Sequence, residues 1–162
     1  MSISAFDPVY ALQPQLLTPL GSGTAFWEDL CLGKSGLTPL CQTFPDWFPE
    51  DQRKVGALPI ENNGSRLKAI LDRLFTLFDD SLWPLIDGIY AATSLGDLIG
   101  KHAGAPQAVI REKMSRHDAV LNIISSACSS GSDALSLASL AIRAKQADVL
   151  LVLAVDSLCP AK

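Results

Sequence analysis

The chain is poor in the residues that most often announce a function. Among 162 residues there are two histidines, His102 and His117, and four cysteines, at 31, 41, 128 and 159. No cysteines form a C-x-x-C pair, and neither histidine stands at a ligand-like spacing from them, so no zinc donor set is evident and no metal is expected. Basic residues are outnumbered, 13 Lys and Arg against 17 Asp and Glu, for a net charge of -4. That balance gives no electrostatic footprint for nucleic acid. Long apolar runs are missing too. The longest, Val149 to Val155, has the length of a strand, far short of the ~20 residues of a membrane-crossing helix. Met1 to Tyr10 lacks a basic segment followed by an apolar one and does not read as a secretory signal. Reduced thiols and a cytoplasmic location are therefore expected. No G-x-S-x-G is present and no histidine follows the serine-rich stretch near residue 128, which argues against a serine hydrolase.

What is present is apolar and well patterned. Hydrophobic residues make up 48% of the chain and charged residues 19%, the composition of a folded domain. Residues 1–162 are read as one domain. Thr18-Pro19-Leu20-Gly21 is a turn, after a stretch from Val9 to Leu17 that Pro14 weakens as a strand. Ser22 or Thr24 is placed to cap a helix over Ala25 to Leu32, ending at Gly33. Ser35 to Asn63 is rich in Pro, Gly and Asn and reads as loop with strand pieces around Lys54 to Ile60. Within it, Phe44, Trp47 and Phe48 suggest a local apolar cluster or a partner contact. From Ser65 to Phe78 the spacing is helical. Leu67, Ile70, Leu71, Leu74, Phe75 and Phe78 share a face, with Lys68, Asp72 and Arg73 off it. Leu85 to Thr93 reads as a strand, Ser94 to His102 as a turn and short helix, and Gln107 to Met114 as a further helical piece.

The last third carries the clearest pattern. Ala119 to Ser125 is a β-type run, Ser130 to Lys145 a helix, and Asp148 to Val155 an almost wholly apolar strand. Together they have the size of a β-α-β unit. Strands apolar on both faces belong to parallel sheets covered by helices on each side, so the fold class is α/β with a mostly parallel sheet in α-β-α layers. Between the strands, the helix has apolar residues in nearly every direction: Ala134, Leu135, Leu137, Ala138, Leu140, Ala141 and Ile142. Apart from Asp133, its polar residues before Arg143 are small. Such a helix is expected to be buried on most sides.

Cys128 lies in Ser125-Ser126-Ala127-Cys128-Ser129-Ser130-Gly131, between strand and helix. A thiol there sits at the positive end of a helix, faced by backbone N–H groups that favour the reactive thiolate. Small neighbours leave room for a substrate carbonyl, and Gly131 allows the first turn a close backbone approach. The same N–H groups, that of Cys128 included, are suited to hold a tetrahedral oxyanion. This is the layout of an acyl-accepting nucleophile. On the residues alone, a buried structural cysteine in a serine-rich turn fits equally well. For Cys31, Cys41 and Cys159 a small buried hydrophobe is the expected role.

A resemblance adds to this. The stretch from Val120 to Leu158 resembles the active-site region of the thiolase superfamily, and within it the β-ketoacyl-acyl-carrier-protein synthases. That family has a strand, a small-x-Ala-Cys-small-Ser-Gly element, an Ala-rich helix, a basic residue, an Ala-Asp pair and a buried strand. Here they appear as Ser125 to Gly131, Ala134 to Ile142, Arg143, Ala147-Asp148, and Val149 to Asp156. The opening is similar as well. Leu17-Thr18-Pro19-Leu20-Gly21, Phe26-Trp27-Glu28-Asp29-Leu30 and Gly33-Lys34-Ser35-Gly36-Leu37 stand where the family has a Thr-Pro-x-Gly turn, a helix and a Gly-Lys-Ser-Gly loop. A weaker match is Ile89 to Gly96, in place of the family's small-residue strand end.

The resemblance implies a thiolase fold, five α-β-α-β-α layers in two similar halves, of which this chain matches the first, nucleophile-bearing portion. It implies a decarboxylative Claisen condensation in fatty acid or polyketide synthesis. Cys128 accepts an acyl group, and the carbanion of a decarboxylated malonyl carrier attacks it. The substrates ride on the phosphopantetheine of an acyl carrier protein, the implied partner, and no resident cofactor is implied. The family's two assisting histidines lie downstream of the nucleophile. His102 and His117 precede Cys128, match no catalytic position and read as surface or loop residues. The expectation is therefore of a portion inactive without the missing half, oligomeric or completed by another polypeptide. A non-catalytic partner subunit and a degenerate fragment are the alternatives.

Overall fold

A computed structural model describes residues 8–12, 14–58, 66–94, 105–114 and 119–156. At its centre are three strands, β5 (Gly88–Ala92), β6 (Val120–Ile124) and β7 (Leu150–Ala154). All pair in parallel, in the order β6-β5-β7. The helix α5 (Ser130–Arg143) links β6 to β7. These two strands are not neighbours, since β5 lies between them. Their in-register partners end level, with Ala92 opposite both Ile124 and Ala154.

The sheet is covered on both faces, as its apolar strands require. On one side Ile89 and Ala91 of β5 and Leu153 of β7 join a core with Leu67, Leu71 and Phe75 of α3 (Arg66–Phe75) and with Ile110 of α4 (Ala105–Lys113). Leu121, Ile123, Leu151 and Val155 pack against that cluster. Because strand residues alternate, Gly88, Tyr90 and Ala92 belong to the opposite face, where α5 lies. This is an α/β architecture of three layers. Leu71, Ile89 and Ile110 are the largest fully buried side chains and mark its centre.

The face anticipated for α3 is the one that packs. Leu67, Ile70, Leu71 and Phe75 are buried, while Lys68 reaches Asp72 at 2.7 Å one turn on. Phe78 and Phe75 hold their rings 5.0 Å and 5.3 Å from that of Trp83, which is itself buried. Trp83 belongs to a 3-10 turn over Asp80–Leu85. The sequence suggested a strand beginning at Leu85. The Asp79 carboxylate instead accepts from Ser81 N, starting a tight turn that runs through Leu85, and the strand begins at Gly88. Asp87 then joins two strand starts, since its Oδ2 accepts from the N–H groups of Asp148 and Val149.

The N-terminal part makes small hairpins rather than extending the central sheet. β1 (Leu17–Thr18) pairs antiparallel with β2 (Gly21–Ser22), closing the Thr18–Gly21 turn. The stretch before it forms no strand among its described residues. Helix α1 (Gly23–Cys31) starts two residues earlier than expected, with Ser22 at its cap position but without a side-chain cap bond. It ends before Gly33, whose φ of +71° suits glycine. β3 (Leu37–Pro39) pairs with β4 (Lys54–Gly56), on either side of a short helix α2 (Leu40–Thr43). Gly36 lies against the Thr18–Gly21 turn, so closely that a Cβ on it would stand 2.7 Å from Pro19 Cβ. Phe44 is buried and stacks on Trp47 with ring centres 5.2 Å apart, and the Arg66 guanidinium lies over the Phe44 ring, 5.1 Å from its centre. Of the cluster expected there, Phe44 and Trp47 pack together and Phe48 is half-buried.

Candidate functional site

The site is built where β6 gives way to α5. After Ile124 the chain leaves the sheet. Ala127 adopts φ +56°, a left-handed conformation costing a non-glycine residue roughly 1–2 kcal/mol. A 3-10 turn over Ala127–Ser129 follows, and α5 begins at Ser130. Cys128 is the middle residue of that turn, two positions before the helix, and its side chain is exposed. A buried structural role does not fit an exposed thiol. The sulfur belongs to the turn that feeds the helix, as the sequence indicated.

A hydrogen-bond network holds the turn. Ser130 is buried, and its Oγ accepts from Ser126 N at 2.8 Å. The same oxygen lies 2.7 Å from Ala127 O and 3.1 Å from Thr93 O, so it bridges the turn to the end of β5. Ser129 Oγ lies 2.9 Å from Ser126 O and 3.0 Å from Asp133 Oδ2. Ser126 Oγ donates to that same carboxylate oxygen. The hydroxyl of Ser126, then that of Ser129, hold the Asp133 carboxyl below its ordinary value of 3.8. The Cys128 N–H belongs to the 3-10 turn that leads into α5.

The location within the sheet matters as much as the turn. Cys128, Thr93, Ser94 and Asp156 all follow the carboxyl ends of the three parallel strands. Ser94 Oγ donates to the Asp156 carboxylate, joining the ends of β5 and β7. In open α/β sheets, this edge is where ligands are usually received.

Other sequence expectations fare unevenly. Gly131 does not bring two backbones together; a Cβ there would meet only Ala154 Cβ, at 3.8 Å. Cys31 is exposed and Cys41 half-buried, so neither is the small core hydrophobe expected. Cys159, His102 and His117 lie outside the described residues, as does most of the turn and short helix expected over Ser94 to His102. A groove of about 1300 Å³ runs along β7, between the stretch before β1, α3 and α5. Gly131 and Asp156 line it, but Cys128 does not. Among the described residues no group of His, Cys, Asp and Glu is placed to hold a metal ion, and no helix is long and apolar enough to cross a membrane.

Asp133, which accepts from Ser126 and lies within hydrogen-bond reach of Ser129, is the residue of this turn's network that sequence reasoning passed over. Its spacing from Ser126 and Ser129, seven and four residues, was the available signal. No protein-family model, curated protein or solved structure matches the chain.

Proposed function

We propose that this chain is the nucleophile-bearing, N-terminal portion of a β-ketoacyl synthase with a thiolase-like fold, and that Cys128 accepts an acyl group from the phosphopantetheine thioester of an acyl carrier protein. One observation carries this: an exposed thiol directly after the left-handed Ala127, in the turn between a parallel strand and its helix. The Cys128 thiolate attacks the thioester carbonyl. The carbonyl oxygen becomes an oxyanion facing the Cys128 N–H, and the tetrahedral species collapses with cleavage of the carrier's C–S bond. The acyl group remains on Sγ, and the departing carrier thiolate takes up the proton that Cys128 gave up. No resident cofactor is required for this half-reaction.

Condensation asks for more. Decarboxylating a malonyl thioester and polarising its carbonyl call for the acid–base groups that the family supplies as histidines. Acyl transfer to Cys128 is the half-reaction assigned to this chain. The alternative, a non-catalytic partner subunit or a degenerate fragment, is opposed by the exposed Cys128 in its organised turn.

Intact-mass spectrometry after incubation with an acyl thioester tests this. One acyl group per chain is expected, absent from Cys128→Ser. An unmodified wild-type chain, or equal labelling of the variant, would overturn it.

A further inference from the structure

We infer that Asp133 is a positioning residue for Cys128, holding the nucleophile's turn shut from one helical turn away. The two residues that bracket the Ala127–Cys128 pair are Ser126 and Ser129. Both present their hydroxyls to a single oxygen of the Asp133 carboxylate, Oδ2. That oxygen stands on α5, whose position is fixed by Ser130, Ala134, Ala138 and Ala141 buried toward the sheet. The carboxylate is thus an anchor on a rigid element, and the turn is tied to it at both ends. Ala127 keeps its left-handed φ only while the residues on either side are restrained. The single O–H of Ser129 is shared between Asp133 Oδ2 and Ser126 O, which ties the carboxylate to the turn's backbone in one connected network. The bonds from the two hydroxyls favour the ionised carboxylate.

Asp133 is not given contact with substrate. It acts through Ser126 and Ser129 on the direction in which Sγ and the Cys128 N–H point. This inference deepens the acyl-transfer reading, but its test does not need a carrier or a thioester.

The test is the rate of alkylation by iodoacetamide at Cys128 relative to Cys31 in the same molecule, read by peptide mass spectrometry. Cys31 is exposed and far along the chain in α1, so it reports general reagent access. Asp133→Ala is expected to lower the Cys128-to-Cys31 ratio by about tenfold, less than the hundredfold that a displacement of about 1 Å can cost a reacting group. Asp133→Asn keeps one acceptor oxygen and is expected to fall between. Ser126→Ala with Ser129→Ala is expected to match Asp133→Ala, and the triple variant to be no worse, because the groups act as a unit. A merely structural role would lower the melting temperature of Asp133→Ala and leave the ratio unchanged in the folded chain, which overturns the proposal. If Asp133→Ala does not fold, the serine double variant decides: an unchanged ratio there overturns it equally. Failure of thioester acylation with a Cys128-to-Cys31 ratio that still depends on Asp133 would refute the synthase reading and leave the positioning role standing.

Discussion

Ala127 occupies a backbone region that alanines usually avoid, and the residues beside it show why it stays there. Ser126, Ser129 and Ser130 each place a hydroxyl across the turn, and Asp133 gathers two of them. The motif itself was legible in the sequence because small residues around a cysteine between a strand and a helix form a recognisable pattern. The network was not, because a serine's partner depends on which way its hydroxyl turns, and spacing alone does not settle that. The exposure of Cys31 was also hidden: a cysteine carries the same letter whether its helix face is packed or bare. The carboxyl of Asp133 titrates below 3.8, so the folded chain holds its proton less tightly than the unfolded one. Its stabilising effect is therefore full above that ordinary value and is lost as pH falls through the lowered folded value. Thermal melts of wild type and Asp133→Asn are expected to differ near neutral pH and to converge in the acid range below 3.8.

Helix α5 has two characters. Its small residues Ala134, Ala138 and Ala141 are buried against the sheet, while Leu135, Leu137 and Leu140 are exposed at 54%, 45% and 59%. The all-round apolar composition was read as burial on most sides, and the described structure buries one side. The alanines explain the close approach to β5 and β7. A larger side chain at the fully buried Ala134 has nowhere to go, so Ala134→Leu is expected to destabilise by about 1–3 kcal/mol. Leu140→Ser on the open side is expected to change stability by about 0.5 kcal/mol or less. Urea unfolding of the two variants measures the contrast, and equal losses would place the helix differently. The existence of the three strands and the buried face of α3 were legible from periodicity, though each strand is shorter than expected. The order β6-β5-β7 was not, because hydrophobic pattern identifies strands without saying which are neighbours.

At the scale of the whole molecule, the exposed leucines of α5 and the long groove beside β7 leave apolar surface uncovered by the described residues. Contiguous apolar surface of this kind marks contacts with other polypeptide or a tendency to associate. The isolated chain is expected to elute as an oligomer in size-exclusion chromatography, and Leu135→Lys with Leu140→Lys to shift it toward monomer. A wild-type monomer with a cooperative melt would contradict this. Ile89 is fully buried in the core on the α3 side, and Ile89→Ala is expected to cost about 2–5 kcal/mol in denaturant unfolding. An α/β fold was legible in the alternation of strand and helix patterns, and the turn that carries Cys128 was legible within it. The small N-terminal hairpins were not, since the turn residues that announce them do not say whether their strands join the main sheet.

The most direct measurement is the time course of acyl transfer from a thioester to individual cysteines of the native chain, followed by peptide mass spectrometry. Cys128 is expected to be acylated well ahead of Cys31, although both are exposed. Equal rates at the two, or acylation confined to Cys31, would contradict the assignment of Cys128 as the nucleophile.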